Sequence, residues 1–272
     1  MYMIENRSVS TTWNGLSATD PPEFLGSGHL VNIAAHGDDD TEGRGATLRN
    51  GDTAMEQASH RLGSDIGLSG LMKTFHYPRT NRMSIALAHV GWFADREGGA
   101  FAHQLLDDTK RLLASDLSGP ELSALWQAGT FRDFDPEACG IEGRQWLTWV
   151  EEIAEYRITW NVESAPVPLD PPSAGPLAEA VLGEIASVAQ DLESATAGHA
   201  YAAVPGVAPA LGRVVTEVDP DLGFRLLLRV LKSYFVPVGP TRVEGYHALA
   251  ELLGLERAVV EDGDFNVRPD LG

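Results

Sequence analysis

Cysteine is nearly absent: the chain holds one, Cys139. That excludes an internal disulfide and a cysteine-based zinc site, and a reducing cytoplasm is the natural home. Lysine is almost as scarce, with only Lys73, Lys110 and Lys232 among 20 basic residues, against 39 acidic ones. The formal net charge of −19 and the lack of a Lys/Arg cluster argue against nucleic acid and anionic lipid as partners. They favour neutral or cationic ones. No uninterrupted apolar run reaches the ~18 residues of a membrane span, and Met1 to Ser10 carries no apolar signal core, so neither a membrane nor a secretory route is expected. Also missing are internal repeats, two-residue hydrophobic alternation, a glycine-rich phosphate loop and a dinucleotide fingerprint.

What remains is helical pattern. The 272 residues, 43% hydrophobic and 22% charged, suffice for a full core. Residues 1–50 are rich in Gly, Ser, Thr, Asn and Asp and read as a loop-rich segment, with Trp13, Phe24 and Leu25 as anchors on the body. Asp52 suits the cap of a helix to about Leu62, and Thr80 or Asn81 the cap of the next. In that second helix Met83, Ala86, Leu87, Val90 and Phe93 fall on one stripe, and Gly98-Gly99 ends it. Ala100 to Ser115 carries Phe101, Leu105, Leu106, Leu112 and Leu113 inward. Ser118 caps a short helix with Pro120 in its first turn. Glu142 to Ile158 bears Trp146, Trp149, Val150 and Ile153.

The proline-rich connection at 165–176 excludes helix there and divides the body into two helical parts. Pro176 to Ser194 is the next helix, stopped by Gly198, and Pro205 and Pro209 break the stretch after it. Asp219 or Asp221 starts an apolar helix through Phe235. Thr241 and Glu244 form a capping box for a helix ending at Gly254. The expected fold is all-α or nearly so, a single compact multi-helix domain over 51–272, with any active site where its two parts meet.

Among the chemistry-bearing residues, His89 borders an apolar stripe beside Trp92 and Phe93. It suits a distal acid–base group or a metal ligand, or a core histidine bonded to a backbone carbonyl. His199, in Gly198-His199-Ala200-Tyr201, has small neighbours that admit a large planar group, and it also reads as a surface-loop histidine. Helical architecture together with His89-Val90-Gly91-Trp92-Phe93 resembles the histidine-ligated haem-dependent aromatic oxygenases, a group that includes tryptophan dioxygenase-like enzymes and tyrosine hydroxylases of natural-product pathways. The resemblance implies haem as cofactor, His199 as its axial iron ligand, His89 as the distal group, Trp92 and Phe93 beside the cofactor, and a small aromatic substrate. It further implies a cation for the substrate carboxylate, for which Arg132 between Phe131 and Phe134 is the candidate. An ion pair of Arg132 with Asp133, Asp135 or Glu137 is the competing reading.

Ala35-His36-Gly37-Asp38-Asp39-Asp40 resembles the opening motif of the LmbE-like N-deacetylases. That resemblance implies zinc on His36 and Asp39, with Asp38 as base. The chain departs from it at Gly37 and Asp40 and has no later His-x-Asp-His, and a solvated acidic loop accounts for the same residues. Glu244 and His247 share a helix face as in di-iron bundles, but only one such pair is present. Leu249 to Leu255 followed by Val260 imitates a helix-turn-helix, yet Glu256, Glu261, Asp262 and Asp264 outweigh Arg257, so it reads as a helix corner. Asp107-Asp108 reads as a solvated face, and Cys139 has no base partner in sequence. A third possibility besides oxygenase and zinc hydrolase is a non-catalytic helical interaction or accessory protein.

Overall fold

A computed structural model describes residues 65, 67–75, 82–160, 174–194, 204–263 and 265–271. Within them run ten α-helices and two strands of two residues each, so the nearly all-α expectation holds. The N-terminal part comprises α1 (Gly67–Thr74), α2 (Met83–Ala94), α3 (Ala100–Ala114), α4 (Gly119–Gly129) and α5 (Gly143–Trp160). The C-terminal part comprises α6 (Ala174–Ser194), α7 (Val207–Arg213), α8 (Pro220–Ser233), β1 (Pro237–Val238), α9 (Pro240–Leu252), α10 (Arg257–Glu261) and β2 (Asn266–Val267). A π-helical turn, Val214–Val218, links α7 to α8.

Helix boundaries follow local chemistry. Ser118 caps α4 as expected, and Glu121 returns the bond to the Ser118 amide, completing a capping box with Pro120 in the first turn. Asp219 caps α8 by accepting the Asp221 amide at 2.8 Å. Four expectations need correction. The cap of α2 is neither Thr80 nor Asn81 but Arg82, which makes no side-chain cap bond. Pro209 does not break the chain but sits in the first turn of α7, where a missing N–H costs no helical bond. For the same reason Pro176 lies inside α6, which begins at Ala174. The Thr241–Glu244 box does not form: α9 starts at Pro240, so Thr241 is already helical and Gly239 occupies the cap without a side chain to offer. The helix expected at about 52–62, the N-terminal segment and residues 165–173 lie outside the described residues.

Packing is organised around α8, whose fourteen residues are all buried. It contacts α1, α4, α6 and α7, while α3 and α5 form the most extensive helix pair of the N-terminal part. The core is aromatic there: Trp126, Phe134 and Trp146 interlock, with ring centroids 4.9 Å apart for the two tryptophans and 5.0 Å for Phe134 and Trp146. The strands clip the C-terminus parallel to the segment after α8, pairing Pro237 with Asn266 and Val238 with Val267. Among the described residues no helix is long and apolar enough to cross a membrane.

Candidate functional site

At the junction of the two helical parts, where an active site was expected, lies a buried ionic network. Asp221, Arg225, Arg229 and Ser233 follow one another at four-residue steps on α8, a polar stripe on a helix with no exposed face. Arg225 directs all its N–H vectors to acceptors. It grips Asp108 with Nη1 to Oδ2 at 2.8 Å and Nη2 to Oδ1 at 2.7 Å. It grips Asp221 with Nε at 3.2 Å and Nη2 at 3.1 Å, and its Nη1 also reaches the Ser69 hydroxyl at 3.4 Å. Asp108 accepts further bonds from the Leu68 amide and Gln104, both at 2.9 Å. Burial opposes the Arg225 charge, but the Asp108 and Asp221 carboxylates outweigh it and hold the guanidinium well above its ordinary value. Asp108 is therefore not on a solvated face; its side chain is 0% exposed. Its neighbour Asp107 is on the surface and pairs with Arg111.

Ser69 continues the network, donating to Asp65 at 2.8 Å. Burial raises the Asp65 carboxyl to about 6, against the pull of Arg225. The Asp65 amide donates to Asp262 at 2.7 Å, and Asp262 also pairs with Lys73. Lys232, lowered by burial to about 8 against the pull of Asp65 and Asp262, donates to the Asp262 carbonyl at 2.8 Å. Arg229, lowered by burial to about 10, donates to the Gly129 carbonyl at 2.9 Å and to Ser233 at 3.0 Å. Asp262 thus turns inward from the helix corner, which forms as expected: Gly254 takes φ +70° between α9 and α10. The network stitches α1, α3 and α8 together, and its perturbed groups are too enclosed to meet a substrate.

The histidine on α2 is in a different setting. His89 is half-buried, with Nε2 2.8 Å from the Thr74 hydroxyl and a hydrogen bond to the Thr74 backbone as well. Its ring meets the edge of Phe75 at 4.7 Å and lies 5.3 Å from Trp92. Burial lowers its pKa, with the Thr74 backbone bond opposing, so the neutral imidazole predominates at pH 7. Helix α2 presses on α5 at Gly91, where a Cβ would come 2.8 Å from Arg157 Nη2; Arg157 then bridges Asp95 at 3.0 Å. Ala86, Val90, Phe93 and Ala94 are buried on the inward side of α2. The opposite face, at the helical spacing i, i+3, i+7, carries Ile85, Ala88 and Trp92, and Ile85 is 48% and Trp92 56% exposed. The solvent side of this helix is thus apolar along its centre, a reversal of ordinary amphipathic patterning. Arg96 rims it, its guanidinium 5.8 Å from the Trp92 ring and 4.8 Å from Phe101.

Among the described residues of the expected set, the structure brings His89 and Trp92 together but not Phe93 or Arg132. Phe93 is 0% exposed and packs on Phe101 at 5.1 Å, turned away from Trp92 by the helix pitch. Arg132 sits where α4 ends, at φ +57°, its amide bonded to the Gln127 carbonyl at 2.8 Å, and its charge acts on the Tyr234 hydroxyl. His199, His36, Asp38 and Asp39 lie outside the described residues. Glu244 is exposed and His247 half-buried on α9, and among the described residues no group of three or more His, Cys, Asp or Glu side chains is placed to hold a metal ion. Burial, then Asp135, push the Cys139 thiol up, away from a reactive thiolate.

No family model, curated protein or solved structure matches the chain.

Proposed function

We propose that this is a non-catalytic helical interaction protein of the cytoplasm that docks a partner on the outer face of α2. The observation that carries the reading is the stripe Ile85–Ala88–Trp92, two large apolar side chains about half exposed on one helical face. Tryptophan anchors of this kind dominate binding at interfaces, and a cationic rim residue such as Arg96 suits their edge. The net charge of −19 favours a neutral or cationic partner over nucleic acid or an anionic membrane. The test is a photo-crosslinking side chain at Ala88 in the source cells, with the same group at exposed Glu193 on α6 as control. A discrete adduct from position 88 alone supports docking on α2; no adduct, or equal adducts from both positions, refutes it.

The second reading is a haem-dependent oxygenase of a tyrosine- or tryptophan-like substrate. The neutral, half-buried imidazole of His89 against an aromatic wall favours it. His199 would hold the iron, and Trp92 is the one expected cofactor neighbour beside His89 with an open ring. Protein purified from haem-supplemented cells shows a Soret band on this reading; a colourless product rejects it. Full haem retention in His199→Ala rejects the ligand assignment alone. A zinc hydrolase built on His36 and Asp39 is tested by metal analysis of the wild type and His36→Ala.

A further inference from the structure

Given docking on α2, on which this rests, we infer that the docked element is an amphipathic helix whose apolar seam is bordered by a row of carboxylates. Ile85, Ala88, His89 and Trp92 stand at i, i+3, i+4 and i+7. Those are the four corners of the hole that one helix offers to a side chain of a second helix packed along it. Ala88 is the small corner and leaves room for a branched apolar side chain. Ile85 and Trp92, each about half exposed, wall the hole at its two ends.

The two borders of this seam differ. On one side Gly91 lies against Arg157 of α5, so the chain itself closes that flank. On the other run Arg82, His89 and Arg96 at seven-residue steps, about 21 Å of helix. The row shows in the ring contacts: His89 lies 5.3 Å and the Arg96 guanidinium 5.8 Å from the Trp92 ring. In paired helices the charges bordering the seam select the partner. The stretch supplies no carboxylate of its own: all 39 acidic residues lie outside 66–94, which holds Lys73, Arg79 and Arg82. Asp95, the first beyond it, is engaged by Arg157 at 3.0 Å on the α5 side. Glu97 and Gly98, both left-handed, then carry the chain off the helical path.

Aspartates or glutamates on the docked helix complement this row. Two other occupants fit it less well. A second copy of the chain laid antiparallel on its own seam would bring Arg96 of one copy beside Arg82 of the other, like charge on like. A basic helix suits the net charge of −19 but meets the same arginines at contact. Salt screens exposed charges beyond about 8 Å at physiological ionic strength, so the local row decides the fit and the distant surface does not. The partner is thus neutral or cationic as a whole and acidic along the docked helix.

The test titrates the full chain into labelled helical peptides at about physiological ionic strength and follows fluorescence anisotropy. One peptide has a leucine seam bordered by glutamates, the second the same seam bordered by lysines, and the third glutamate borders on an alanine seam. The first is expected to bind saturably and the other two more weakly by about ten-fold or more, although net charge alone ranks the lysine peptide first. Trp92→Ala weakens the glutamate peptide by about ten-fold or more. Arg96→Glu reverses the order of the two leucine-seam peptides, and Arg96→Gln brings them level. Stronger binding of the lysine peptide, no binding of the glutamate peptide, or an order untouched by both Arg96 variants overturns the acidic helix. So does a dimer of the chain alone that Trp92→Ala disperses. An adduct from position 88 beside any of these results leaves docking on α2 standing and removes only the acidic helix; absence of the adduct removes both.

Discussion

Arg225 and Asp108, 117 positions apart in sequence, face each other as a bidentate pair across the centre of the molecule, with neither side chain more than 2% exposed. The pair joins α8 to α3 and, through the Leu68 amide, to α1. Removing one partner of a buried pair strands the other's charge, which costs about 3–5 kcal/mol. Arg225→Met strands both Asp108 and Asp221, so it destabilises more than Asp108→Asn. Urea unfolding of both variants measures this; a loss below about 1 kcal/mol in each would show that the pair contributes little.

Gly67 makes the pair possible. It takes φ +70°, and a Cβ there would come 2.2 Å from Asp108 Oδ2 and 2.8 Å from the Gln104 side chain. Gly67→Ala therefore combines backbone strain with overpacking and costs at least about 2 kcal/mol. Gly98→Ala is the control, because Gly98 has φ +65° but nothing within 4 Å of the added carbon. Its cost is the backbone component alone, about 1 kcal/mol. Equal losses in the two variants would remove the steric part of the argument.

Asp65 gives the network a pH signature. Its carboxyl is raised by burial from 3.8 to about 6, so the folded state binds that proton more tightly than the unfolded chain. Its contribution to stability is greatest below pH 3.8 and declines as pH rises to about 6. Lys232, lowered from 10.5 to about 8, adds stability as pH rises between those values, where the unfolded chain binds more protons. Asp65→Asn removes the acid-side component. The difference in unfolding free energy, Asp65→Asn minus wild type, should rise between pH 4 and 6 and level off above; a difference independent of pH would contradict the raised carboxyl.

Most helices were legible because their signals are local. The Phe101–Leu105–Leu112 spacing and the Ser118 cap act within a turn or two, and α3 and α4 lie where those residues place them. The network was not legible. Whether Asp108 faces water or the core depends on Arg225, and nothing near Asp107-Asp108 signals it. A usable sign lay on α8 itself, where Asp221, Arg225 and Arg229 recur every four residues on an otherwise apolar helix. Three misplaced helix starts had one cause, that proline is tolerated in a first turn, as Pro176, Pro209 and Pro240 show. Of the expected site, the His89–Trp92 neighbourhood follows from helical spacing, whereas the inward turn of Phe93 depends on its fit to Phe101.

The open α2 face is tested most directly by Ile85→Ser/Trp92→Ala, assayed together for melting temperature and for the adduct from position 88. Side chains about half exposed contribute little to the folded state, so the melting temperature should stay within about 2 °C of wild type while the adduct disappears. A fall of about 8 °C or more would mean that these side chains are already packed within the chain, and an undiminished adduct would mean that the partner binds elsewhere; either result contradicts docking on α2.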